Sequence, residues 1–130
     1  MSKYLADHIR KICKNKFAHP NILILGYTFK ENCSDLRNTK VLNLIKELNF
    51  FSKIVDVVDP YVDIKLVKKF DLIKVYKKIP NKKYDVIFIA VGHDKFKKLD
   101  SKKFNQYLKD KGFIFDFKNI LNFKENVINF

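Results

Sequence analysis

Asn21-Ile22-Leu23-Ile24-Leu25-Gly26 runs straight into Tyr27-Thr28-Phe29-Lys30-Glu31-Asn32-Cys33-Ser34-Asp35-Leu36-Arg37-Asn38-Thr39. The first five residues are a short, continuous apolar run, the signature of a strand covered on both faces. Gly26 ends it. From about Thr39 to Phe50 the apolar residues Val41, Leu42, Leu44, Ile45 and Leu48 recur with helical spacing and define one buried face. A buried strand followed by an amphipathic helix is the opening unit of a parallel α/β sheet. The turn between them sits at the carboxyl edge of such a sheet, the edge on which ligands settle. Ser34 or Asp35 is placed to cap the helix.

Working outward, the same alternation repeats. Ser2 to Lys16 carries Leu5, Ile9, Ile12 and Cys13 on one stripe and reads as a helix, and His19-Pro20 ends that segment. Ile54-Val55-Asp56-Val57-Val58 reads as a second strand ending in Asp59-Pro60. Asp59 is placed either to bond a ribose, as acidic residues do at this position in Rossmann units, or to cap its own turn. A short helix over Asp63 to Phe70 places Ile64, Val67 and Phe70 inward, and Leu72 to Val75 reads as a short third strand. The stretch from Val75 to Lys83 is ambiguous and is broken by Pro80. Asp85 to Val91 is a strong buried strand, with Gly92-His93-Asp94 as the loop at its end. A helix over Ser101 to Lys109, capped by Asp100 or Ser101, turns Phe104, Tyr107 and Leu108 inward. Gly112 to Asp116 reads as the last core strand, and Val127 to Phe130 as an added edge strand. The expected fold is a Rossmann-like three-layer α/β sandwich. Its sheet has five to six strands, is mainly parallel, and has the first strand at its centre.

Composition narrows the function classes. The 130 residues suffice for one core without a metal or disulfide framework, and Cys13 and Cys33 suggest neither. Apolar runs are too short to span a membrane, and the amino terminus lacks a signal-peptide pattern, so a cytoplasmic protein without membrane contact is expected. The net charge of +13 rests on 27 basic residues, of which only Arg10 and Arg37 are arginine. Lysines scattered over every segment lack the planar fork that reads bases and phosphates, so no specific nucleic-acid partner is expected. From Gly26, a G-x-G-x-x-G fingerprint needs glycine where the chain has Thr28 and Glu31, so this turn is no dinucleotide cradle. Read singly, Phe29 suits a core position as well as a ligand platform, and Lys30 is one of many lysines. Arg37, near a helix amino terminus, opposes the dipole there. His93 reads as a loop residue bonding backbone, and Cys33 as a packing residue.

Taken together, Phe29-Lys30-Glu31-Asn32-Cys33-Ser34-Asp35-Leu36-Arg37-Asn38-Thr39-Lys40, Val58-Asp59-Pro60-Tyr61-Val62-Asp63, Ala90-Val91-Gly92-His93-Asp94-Lys95-Phe96 and Phe115-Asp116-Phe117-Lys118-Asn119-Ile120-Leu121 resemble one family. The chain is similar to the carboxy-terminal, UDP-binding domain of the UDP-glucose/GDP-mannose dehydrogenases. Its wording is nearest the branch that oxidises UDP-N-acetylhexosamines for surface polysaccharides of the Vi type. The resemblance implies that Phe29, Lys30 and Lys118 contact a UDP-sugar and that Arg37 reaches NAD held by another domain. It implies that residues 1–18 end a linking helix and that residues 19–130 form the UDP-sugar-binding domain. It also marks what is missing: the glycine-rich NAD domain and the segment with the catalytic cysteine. No catalytic residue and no metal site are expected, and the chain alone is expected to be inactive. A partner chain with the NAD domain, a homodimer, or a stand-alone module docking onto an intact dehydrogenase are the assemblies left open.

Overall fold

The computed structural model describes residues 2–14, 16–28, 39–71 and 74–129. Among these residues eleven elements follow in order: α1 (Ser2–Cys13), β1 (Asn21–Leu25), α2 (Thr39–Leu48), β2 (Ile54–Val58), α3 (Ile64–Asp71), β3 (Val75–Tyr76), β4 (Tyr84–Ile89), α4 (Asp94–Lys97), α5 (Ser101–Asn105), β5 (Leu108–Asp116) and β6 (Val127–Asn129). The strands form one sheet in the order β3-β2-β1-β4-β5-β6, and every pairing is parallel. This is the doubly wound Rossmann order, with β1 inside the sheet as expected. The order reverses between β1 and β4, so the topological switch point lies at their carboxyl ends.

Alternation along each strand divides the core in two. Ile22, Ile24, Val86, Phe88, Phe113 and Phe115 share one core with α1, α2 and Val67 of α3. Leu23, Leu25, Ile87, Ile89 and Ile114 share the other with Phe96 of α4 and Phe104 of α5. The right-handed crossovers through α2 and α3 put those helices on one face, and α4 and α5 cross on the other. On the first face α1 covers the half that α2 and α3 leave open: His8 meets Phe115 edge-on with 5.6 Å between ring centres. Phe88 stacks on Phe115 and Phe117 beneath it.

Several expected boundaries move, for identifiable reasons. Helix α1 stops at Cys13, where the amides of Lys16 and Phe17 both return to the Cys13 carbonyl. Helix α2 stops at Leu48, although the amide of Ser52 still reaches its carbonyl. The third strand is Val75–Tyr76, and residues 72 and 73 of the expected segment lie outside the described residues. Ile64, expected inward, is 39% exposed, while Val67 carries the contact of α3 with the core. The strand expected over Asp85 to Val91 is Tyr84–Ile89. The helix expected over Ser101 to Lys109 ends at Asn105, because Leu108 already pairs with Tyr84 in the sheet. Between the Tyr84–Leu108 and Val86–Phe113 pairs the register shifts, so β5 takes up Lys109 to Lys111, with Lys111 at φ 65°. Helix α4 has no counterpart in the sequence reading: it begins at Asp94, the last residue of the expected loop Gly92-His93-Asp94.

Candidate functional site

Three turns converge at the carboxyl edge beside the switch point: Gly26–Thr28 after β1, Asp59–Tyr61 after β2 and Ala90–His93 after β4. Gly26 makes the first approach possible. Its φ is +105°, and a Cβ built there would stand 2.6 Å from Val91 Cβ and 2.8 Å from Val91 N. A side chain at 26 would drive the turns after β1 and β4 apart. The Leu25 carbonyl accepts from the Ala90 amide at 2.8 Å, and the Gly26 amide donates to the Val58 carbonyl at 2.7 Å.

Asp59 ties the three turns together. Its Oδ2 accepts from the amides of Tyr27 at 2.8 Å and Thr28 at 3.0 Å, and Oδ1 accepts from the Tyr61 amide at 2.8 Å. His93 Nε2 stands 2.9 Å from Asp59 Oδ2 and 3.1 Å from Thr28 Oγ1. Asp59, His93 and Thr28 are all fully buried. Burial alone pushes the Asp59 carboxyl up, but the His93 bond and the three amides outweigh it and hold the group below its ordinary value. The carboxylate is therefore ionised and only accepts, so His93 Nε2 carries its hydrogen and donates.

Thr, His and Asp in contact invite comparison with a nucleophilic triad, and the geometry excludes it. A triad uses one ring nitrogen toward the nucleophile and the other toward the acid. Here both Thr28 and Asp59 meet Nε2. The arrangement is a structural clamp. Asp59 thus takes the turn-capping role, and His93, expected as a loop residue bonding backbone, also meets the side chains of Asp59 and Thr28. Sequence reading missed the pairing because the two residues stand 34 apart. The available signal was positional: three polar residues each follow a buried strand, and parallel topology sets those strand ends side by side.

Of the expected ligand residues, Lys118 lies on this edge. It follows β5, is exposed, and its Nζ stands 5.5 Å from the Phe117 ring centre. Its turn is capped in the same manner as that after β2: buried Asp116 accepts from the amides of Ile120 at 3.1 Å and Leu121 at 2.9 Å. Strand β5 is two strands from β1, roughly 10 Å away at ordinary strand spacing. Phe29, Lys30 and Arg37 lie outside the described residues, as do Cys33 and both candidate caps, Ser34 and Asp35. Above the clamp, Tyr61 packs on His93 at 4.7 Å between ring centres, and Lys95 Nζ lies 5.2 Å from the Tyr61 ring.

The described residues do not fit a dinucleotide. The amides of Tyr27 and Thr28, the first donors after Gly26, are taken by Asp59. Nor do the described residues hold a group of three His, Cys, Asp or Glu side chains suited to a metal ion. Cys13 is buried; burial first, and the Asp85 charge second, push its thiol up to about 12, with Lys16 opposing. It is a packing residue rather than a nucleophile. A cleft of about 480 Å³ at the opposite, amino edge is lined by Arg10, Lys11, Lys14, Phe17, His19 and Phe51. Arg10 and Lys11 occupy the last turn of α1, where they complement the negative helix end, and Arg10 lies over the Phe51 ring at 5.7 Å. No described helix is long and apolar enough to cross a membrane.

Comparison with known proteins bears on the carboxyl edge. Residues 23–123 match the model of the UDP-glucose/GDP-mannose dehydrogenase family, UDP binding domain. A UDP-N-acetyl-D-glucosamine 6-dehydrogenase of Salmonella typhi is 37% identical over 124 residues, covering 93% of this chain and 29% of that protein. Protein CapL of Staphylococcus aureus is 37% identical over 128 residues, covering 96% of this chain and 30% of that protein. Among solved structures, the UDP-N-acetyl-mannosamine dehydrogenase Cap5O from Staphylococcus aureus superposes with a TM-score of 0.76 at 26% identity, over 99% of this chain and 30% of that one. An NDP-N-acetyl-D-galactosaminuronic acid dehydrogenase from Methanosarcina mazei has the same TM-score, 0.76, at 17% identity, over 98% of this chain and 28% of that one, and shares the fold. The chain thus spans less than a third of the length of each of these relatives.

Proposed function

The chain belongs to the UDP-glucose/GDP-mannose dehydrogenase family, as its UDP-binding domain, and from that premise we propose that it holds the nucleotide end of a UDP-N-acetylhexosamine during NAD-dependent oxidation at C6. The product is a uronate destined for polysaccharide. The observation that carries the proposal is the family match over residues 23–123, which takes in the carboxyl ends of β1 to β5. Phe29, Lys30 and Lys118 are the proposed substrate contacts. A lysine at this edge supplies a point charge suited to a diphosphate.

Oxidation needs parts beyond these residues. The described turn after β1 is not a dinucleotide cradle, so NAD is held on another domain, with Arg37 the proposed contact from this chain. The catalytic cysteine likewise comes from elsewhere, since buried Cys13 is unreactive and Cys33 does not match the nucleophile position. On this reading the chain by itself binds UDP and turns over nothing. A partner chain or the remainder of a longer polypeptide completes the enzyme.

A thermal-shift titration with UDP tests this. A ligand that binds only the folded state stabilises it by RT ln(1 + [L]/Kd), about 1.4 kcal/mol at a tenfold excess over Kd. A UDP-dependent rise in Tm, diminished in Lys30→Ala and in Lys118→Ala, is the expected result. A cooperatively folded sample with no rise at millimolar UDP refutes the proposal for the chain alone.

A further inference from the structure

Resting on the UDP-binding reading, we propose that the buried Asp59–His93 pair is the positioning element of the nucleotide site. It locks the turns after β1, β2 and β4 to one another, so that the ligand-facing rim of the switch point is held in one arrangement before the ligand arrives.

Connectivity carries the argument. One carboxylate receives the amides of Tyr27 and Thr28 from the first turn, the amide of Tyr61 from the second, and Nε2 of His93 from the third. The Asp59 amide donates in turn to the Tyr76 carbonyl at 2.9 Å, which extends the tie to β3. His93 is held on its other sides by Phe96, at 5.4 Å between ring centres, and by Tyr61. Tyr61 and Lys95, an aromatic ring and a cation on the solvent side of the clamp, thereby have fixed places at the switch point. Turns of this kind are otherwise the loosest parts of an α/β domain, and a ligand site built on them works only when its supporting groups are themselves held. A buried, ionised carboxylate is costly unless it is well hydrogen-bonded, and here four donors meet it, three at Oδ2 and one at Oδ1. An apolar plug would close the same space without that requirement, but would not fix the three turns in register. Asp59 and His93 have no exposed surface, so they act through the rim rather than by touching the ligand.

The test measures UDP affinity by isothermal titration, with Tm recorded in parallel, for wild type, Asp59→Asn, His93→Leu, His93→Gln and Leu48→Ala. Leu48 is fully buried in α2, in the core and away from the three turns, and serves as a control for general destabilisation. Asp59→Asn and His93→Leu are expected to raise Kd by tenfold or more. His93→Gln, whose amide nitrogen still reaches Asp59, and Leu48→Ala are expected to stay within about threefold of wild type. Unchanged affinity in folded Asp59→Asn or His93→Leu, or an equal loss in Leu48→Ala, overturns the positioning role while leaving the functional reading intact. Wild type that binds no UDP overturns both. If His93→Leu does not melt cooperatively, amide exchange decides instead. In Asp59→Asn, the Tyr27 and Thr28 amides are expected to lose protection selectively relative to those of β4; retained protection overturns the proposal.

Discussion

Replacing Gly26 by alanine puts a number on the junction between the turns after β1 and β4. Two costs add. The residue sits at φ +105°, where an L side chain is strained by about 1–2 kcal/mol. The new methyl would also stand 2.6 Å from Val91 Cβ and 2.9 Å from Val91 Cγ2, well inside the ~3.5–4.0 Å optimum for carbon pairs. Overpacking of this kind costs about 1–3 kcal/mol. The sum, about 2–5 kcal/mol, is a large part of the roughly 5–15 kcal/mol that holds a domain folded. Equilibrium urea unfolding followed by far-UV circular dichroism measures it; the chain has no tryptophan to follow. A Val91→Gly background removes both carbons that the new methyl meets and leaves the backbone strain and the 2.8 Å contact with Val91 N. A double-mutant cycle is therefore expected to recover about 1–2 kcal/mol of the penalty. A Gly26→Ala loss below about 1 kcal/mol, or a cycle with no coupling, refutes the close approach inferred at this turn.

Three further outcomes are expected. The Asp59 carboxyl titrates below its ordinary value when folded, so its contribution is complete above about pH 4 and is lost as pH falls through the folded value. Urea melts from about pH 6 to pH 3 are expected to show the stability gap between wild type and Asp59→Asn narrowing toward acid; a constant gap contradicts this. With Cys33→Ser as background, native Cys13, pushed up to about 12, is expected to react with iodoacetamide at pH 8 on the order of 10³-fold more slowly than a free thiol near 8.5. Full labelling in urea confirms that burial is the protection. Tyr84→Phe removes the hydroxyl that donates to Asp56 at 2.7 Å and leaves that carboxylate with Lys82 at 3.5 Å, a loss of about 1–3 kcal/mol by urea unfolding.

The parallel sheet was legible in the chain because its central strands are buried on both faces. Asn21–Leu25 and Ile54–Val58 read as strands at their observed bounds, since a short apolar run flanked by glycine or proline has few other fates. Legibility failed where one anchor decides the outcome. Helix α4 is four residues long and holds the core through Phe96 alone; so short a run shows no period. Leu108 has the spacing of a helical residue, but pairing with Tyr84 draws it into β5, and that partner lies 24 residues away. Lys118 reached the expected edge because strand order alone puts it there. The Asp59–His93 bond escaped for the opposite reason: its partners belong to non-neighbouring strands in sequence, and only the crossover geometry brings them together.

Asp59 also makes this domain its own counter-ion. Where a glycine-rich turn offers its first free amides to a pyrophosphate, this chain answers the amides of Tyr27 and Thr28 with a carboxylate it carries permanently. A diphosphate arriving beside these two amides would therefore meet donors already engaged and a resident negative charge behind them. On the proposed function, its attraction would come instead from exposed lysine side chains, of which Lys95 and Lys118 stand at this edge. Exposed charges of that sort are screened within about 8 Å at physiological salt. On the proposed function, ionic strength is then expected to control retention: a diphosphate would be held in dilute buffer and released as salt rises, while the clamp beneath, buried and already paired, keeps its shape.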